Sequence, residues 1–151
     1  MSIFDPKTFG QMTFTEQNST ESIPVPAGEW LFEITKSEIT AWRKKDDPTV
    51  GGLKNVLFLE TTDPAVVEAT GRPKNTVRFE MMLDLTPEGG LDFGKGMNSK
   101  LGKAREACHL NNKGQPFAFD MFIGHQVRGM ISHSEWEGAL QANCKAITSA
   151  N

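Results

Sequence analysis

GHQVRGMISHSEWEGALQANCKAI, residues 124–147, alternates on the way out and again on the way back. Val127, Gly129 and Ile131 are separated by Arg128, Met130 and Ser132, the two-residue period of a strand with one buried face. On the return, Leu140, Ala142, Cys144 and Ala146 can share one side while Gln141, Asn143 and Lys145 take the other. Between the two runs, Glu137-Gly138 supplies the positive-φ position that a short hairpin turn needs. The sequence therefore ends in a two-stranded ribbon. An isolated ribbon is marginal in water, so this one requires earlier strands to pair with.

Three earlier runs provide them. In IPVPAGEWLFEITKSEITAWRKK, residues 23–45, Pro24, Pro26 and Gly28 punctuate a turn, after which Trp30, Phe32 and Ile34 alternate inward. Ile39 and Trp42 then fall three apart, and this change of phase predicts a bulge or sharp bend in mid-strand. LKNVLFLET (53–61) and NTVRFEMMLDL (75–85) are the second and third strands. TDPAVVEATGRPK (62–74), with two prolines and a glycine, reads as a connecting loop between them. In GMNSKLGKAREACHLNNKG (96–114) the period lengthens. Leu101, Ala104, Ala107, Cys108 and Leu110 recur at helical spacing, Asn98 or Ser99 can cap the start, and Asn111 to Gly114 stops the helix. The element order is strand, strand, strand, helix, strand, strand. This predicts an all-β fold with one helix, in the order of the OB-fold: a five-stranded Greek-key barrel with an α-helix between the third and fourth strands. In such a barrel a bent first strand serves both sides.

Residues 1–22 are different in kind. They are polar and turn-rich, with Phe4, Phe9 and Phe14 as isolated apolar points and no helix or strand period, and they read as an N-terminal arm on a domain spanning 23–151. A chain of 151 residues, 38% hydrophobic and 23% charged, fits one globular domain with a fair core. No window approaches the roughly eighteen apolar residues of a membrane span, and the N-terminus lacks the basic-then-apolar layout of a signal peptide. A cytoplasmic protein without membrane contact is expected. Cys108 and Cys144, far apart in sequence, read as reduced, buried thiols. Together with His109, His125 and His133 they contain no Cys-x-x-Cys pair, so neither a metal nor another cofactor enters the reading.

The formal charge of −3 is unevenly distributed. Lys36 to Lys54 holds five basic and three acidic residues, and Lys95 to Arg128 holds six against two, whereas Glu60 to Asp92 holds three against seven. One basic and one acidic side are expected. The signatures of common enzymes are missing: there is no Gly-x-Gly-x-x-Gly, no P-loop and no Gly-x-Ser-x-Gly. EGGLDFGKGMNSK (88–100) has the composition of a phosphate loop but not its spacing. Asp84, Glu88 and Asp92 are spread over a strand end and that loop, whereas a metal-dependent nuclease needs acids that converge. No enzymatic activity is expected.

Taken together, PVPAGEWLFEI (24–34), SKLGKAREACHLNNKGQPF (99–117) and IGHQVRGMISHSEWEGALQANCKAI (123–147) resemble a family of phage-encoded single-stranded DNA-binding proteins with an OB-fold. The resemblance spans about residues 23–147. It is strongest in the closing ribbon, at Gly124, Val127, Trp136 and Gly138. It implies largely sequence-independent protection of single strands in DNA replication, recombination or repair, in a host cell's cytoplasm. Single-stranded DNA is the implied partner, with replication or recombination proteins as further ones; self-association through the arm is expected separately, from its isolated phenylalanines. The chain departs from many replicative binders in having no acid after Glu137, so recruitment through an acidic tail is not expected.

Binding a single strand takes cations that replace counterions along the phosphates and flat aromatic surfaces on which bases stack. Trp42, Arg43, Lys44 and Lys45 combine both where the first strand enters a polar loop. Lys54 and Arg78 extend the track, Arg78 alternating outward from Val77 and Phe79. Trp136, at the hairpin tip, is a second stacking candidate, and Lys100, Lys103 and Arg105 on the helix are reserve phosphate contacts. The alternative is a protein-binding or virion accessory module on the same barrel, without nucleic-acid activity and attached through the phenylalanine arm.

Overall fold

The structure, a computed structural model, describes residues 5–20 and 23–151. It is mostly β. Strands β1 (Gly28–Arg43), β2 (Gly51–Thr61), β3 (Asn75–Met82), β4 (Gln126–Trp136) and β5 (Ala139–Ser149) form one antiparallel sheet in the order β3-β2-β1-β4-β5. Helix α1 (Pro6–Gly10) lies in the arm, α2 (Pro64–Thr70) between β2 and β3, and α3 (Ser99–Ala107) between β3 and β4. A 3-10 turn, Phe119–Phe122, precedes β4.

β1 sets the curvature, as its phase change predicted. Its first part, Gly28 to Glu33, pairs with β4, and from Glu33 onward it pairs with β2. The register slips between Ile34 and Lys36, the bulge that lets one strand turn from one partner to the other. The outer strands β3 and β5 run in the same direction and line opposite sides of a groove, which gives the sheet a barrel-like form.

The concave face holds the core. Phe32 and Ile34 of β1, Leu57 and Leu59 of β2, Val77, Phe79 and Met81 of β3, and Val127 and Ile131 of β4 are buried there, together with Leu101, Ala104 and Ala107 of α3. Gly129 makes room for one of these residues. A β-carbon at this position would lie 2.8 Å from Cδ2 and Cε2 of the fully buried Phe32 ring.

The sequence misjudged several local features. The segment 62–74 is not wholly loop: α2 forms there because Asp63 accepts from the Ala65 amide, Pro64 occupies the first turn and Gly71, at φ 73°, ends the helix. The same N-terminal chemistry, Asp5 followed by Pro6, builds the short α1 in an arm expected to have no helix. The fold therefore carries more than one helix. In β5 the expected face of Leu140, Ala142, Cys144 and Ala146 breaks, because the register slips between Met130 and Ile131. Ile147 is buried in place of Ala146. Asn98 precedes α3 but does not cap it. Its side chain instead accepts from the Asp84 amide and donates to the Asp84 and Asp92 carbonyls, tying the β3–α3 loop. α3 stops before Asn111, at His109 with φ 58°. There the amides of His109 and Leu110 return to the carbonyls of Glu106 and Arg105. No helix among the described residues is long and apolar enough to cross a membrane.

Candidate functional site

Alternation along the three strands of one half of the sheet places a second set of side chains opposite the core. β1 contributes Lys36, Glu38, Thr40 and Trp42, β2 contributes Lys54, Val56 and Phe58, and β3 contributes Thr76, Arg78, Glu80 and Met82. Trp42, Lys54 and Arg78, separated by up to 36 positions in the chain, thus share one face.

The centre of that face is Phe58, which pairs across the sheet with Lys36 on one side and Arg78 on the other. The Lys36 ammonium and the Arg78 guanidinium each lie 5.4 Å from its ring centroid. Neither Phe58 nor Lys36 was expected to take part. Phe58 lies within the unbroken apolar run Val56-Leu57-Phe58-Leu59, where alternation is invisible by hydrophobicity alone. Only its parity, opposite to Leu57 and Leu59, marks it as outward. Val56 is fully buried on the same face yet lies outside the core cluster, an apolar floor between Glu38 and Glu80.

Trp42 does not belong to the core cluster. Its indole is half-buried because it lies over Gly52 on β2, whose hypothetical β-carbon would be 3.1 Å from Nε1. Trp42 Nε1 and Thr40 Oγ1 are buried without a hydrogen-bond partner, an uncommon condition for buried polar atoms.

The cations are not bare. Lys54 Nζ lies 2.9 Å from Glu80 Oε1, Arg78 Nη2 is 3.3 Å from the same oxygen, and Lys36 pairs with Glu38 at 2.8 Å. These pairs are partly exposed, and such pairs are worth about 0–1 kcal/mol, so exchanging carboxylate for phosphate costs little.

Arg43 departs from the expected group. It lies one residue past Trp42 and so points to the other face, where Nη1 donates to the Pro48 carbonyl at 3.0 Å. Lys44 and Lys45 are exposed at the start of the β1–β2 loop, beside Asp46 and Asp47. The Thr49 hydroxyl and amide donate to Asp47 and hold its carboxyl below the usual range.

Trp136 stands at the other hairpin. Glu137 (φ 51°) and Gly138 (φ 80°) make the tight turn, and Trp136 is 64% exposed. The strand that returns from this tip brings Gln141 and Asn143 to the groove that Arg78 and Thr76 line from β3. Of the reserve cations on α3, Lys100 donates to the Glu80 carbonyl at 2.8 Å, lies 4.7 Å from the Phe79 centroid and also lines that groove, and Arg105 stacks 4.1 Å from the Phe117 centroid. Lys103 faces the separate groove between α3 and β5.

No group of three or more His, Cys, Asp and Glu among the described residues is placed to hold a metal ion. Cys108 and Cys144 are free and buried, and burial pushes both thiols up to about 11. Asp84 and Asp92 accept from the amides of Asn98 and Gly94 in the β3–α3 loop. The arrangement brings together aromatic surface, paired cations and a groove. Compared with known proteins, the sequence matches no family model and no curated protein.

Proposed function

We propose that this is a largely sequence-independent single-stranded DNA-binding protein on an OB-fold, similar to phage-encoded proteins that protect single strands in replication, recombination or repair. One observation carries the reading: Phe58, flanked by Lys36 and Arg78, shares an outer face with Trp42 and Lys54. A single strand offers unpaired bases for such aromatics and evenly spaced phosphates for such cations, and its bases stack regardless of identity. In an OB-fold the second and third strands and the loops joining strands 1–2 and 4–5 contact oligonucleotides. Here those loops carry Lys44 and Lys45 in one case and adjoin Trp136 in the other. The strand is proposed to run from Trp42 past Phe58 and Arg78 to the β3–β5 groove and the Trp136 tip. Lys36 and Phe58 are added to the contacts, and Arg43 recedes from them.

The test is a fluorescence titration with poly(dT), matched duplex DNA and poly(U). Tight binding to poly(dT), much weaker binding to duplex and a steep fall in affinity with salt are expected. Equal affinity for duplex rejects the reading, and no binding to any of the three leaves the protein-attachment module.

A further inference from the structure

Among the described residues, two of the exposed apolar patches stand apart from the Phe58 face. One is in the arm, whose residues 5–20 are all exposed. There the rings of Phe9 and Phe14, 61% and 65% exposed, pack with centroids 5.8 Å apart. α1 holds Phe9 in place through the Asp5 cap. The other is a pocket formed by the β3–α3 loop and the segment after α3. Phe93, 79% exposed, stands over it with Phe117 and Phe119, while Arg105 and Lys113 supply its charge. Exposed apolar surface of this kind marks an interaction site.

We propose that the arm of one chain docks in this pocket on a second copy, with Phe9 and Phe14 seated among Phe93, Phe117 and Phe119. The chemistry of the two patches matches. The arm brings aromatic rings and the carboxylates of Asp5 and Glu16, and the pocket brings aromatic rings, two cations and no acid. In the single chain the two arm rings pack on each other and not in the pocket, so their apolar surface is left for a neighbour. Because donor and acceptor surfaces differ, each chain can give an arm to one neighbour and accept another's, and the contact propagates head to tail. Such a chain of copies suits a protein that coats a strand. The proposal stands without that reading, since pocket and arm share no residue with the Phe58 face.

Sedimentation velocity of the full chain, free of DNA, is the test. The wild-type mass should rise above one chain with concentration. Phe9→Ser with Phe14→Ser, and separately Phe93→Ser, should weaken association at least tenfold while leaving the melting transition in place, because all three side chains are exposed. Mixing the arm variant with the pocket variant should restore pairing, since one keeps an intact pocket and the other an intact arm. A wild-type mass of one chain at every concentration overturns the proposal, as does a mixture that fails to pair. Loss of oligonucleotide affinity in Phe93→Ser without any change in mass assigns the pocket to nucleic acid and overturns it too. Weak DNA binding with normal self-association rejects the proposed function alone.

Discussion

Lys54 and Arg78, on adjacent strands, converge on a single carboxylate oxygen of Glu80, at 2.9 and 3.3 Å. In the proposed function, Glu80 occupies the place a phosphate would take. Glu80→Gln should therefore tighten binding to poly(dT) and steepen its salt dependence by about 0.7 for each cation that gains a phosphate. Affinity against salt concentration reads both effects, and unchanged curves would remove this face from the binding surface.

Trp42→Ala and Phe58→Ala should each weaken poly(dT) binding by about 1–3 kcal/mol with the salt slope nearly unchanged, because an aromatic surface releases no ions. Arg78→Ala should instead lower the slope by about 0.7. Arg43→Ala should do neither, since its guanidinium is turned to Pro48 on the other face. Melting curves on the same variants separate lost contact from lost fold.

Gly129→Ala tests the core. The added methyl would meet the Phe32 ring at 2.8 Å, and that ring cannot withdraw because it is fully buried. A loss of about 1–3 kcal/mol is expected from overpacking, read as a lowered denaturation midpoint.

Cys108 and Cys144 have thiol values near 11 in the folded protein against an ordinary 9.0. The unfolded chain gives up these protons first, so stability should fall as pH rises from about 9 to about 11, with no contribution from the thiols below that window. Alkylation at mildly basic pH should be far slower in the native protein than in denaturant. Equal rates would show that the thiols are accessible.

Much of the scaffold was legible because its signals are local. Trp30, Phe32 and Ile34, and later Val127, Gly129 and Ile131, show the two-residue period directly, and Glu137-Gly138 marks its turn by backbone preference. The three-residue spacing of Ile39 and Trp42 announced a mid-strand bulge, which the structure places earlier, between Ile34 and Lys36. Short helices were missed because α1 and α2 are a turn or two long, too short to show a period, and rest on an Asp-Pro pair.

The composition of the outer face was decided by pairing. That Arg43 faces away from Trp42 follows from strand parity, but that Lys36, Phe58 and Arg78 form one cluster depends on the registers of β1 and β3 against β2. Those registers are set by the core on the opposite side, where Leu57 meets Phe79 and Leu59 meets Val77. A shift of one residue would turn every side chain of a strand to the other face. By itself the sequence determined which segments are strands and which residues carry charge and aromatic surface, because alternation and turn chemistry act between near neighbours. Tertiary structure alone decided that Glu80 holds two of the cations and that Lys100 reaches its carbonyl, because long side chains choose partners by distance in space and not along the chain.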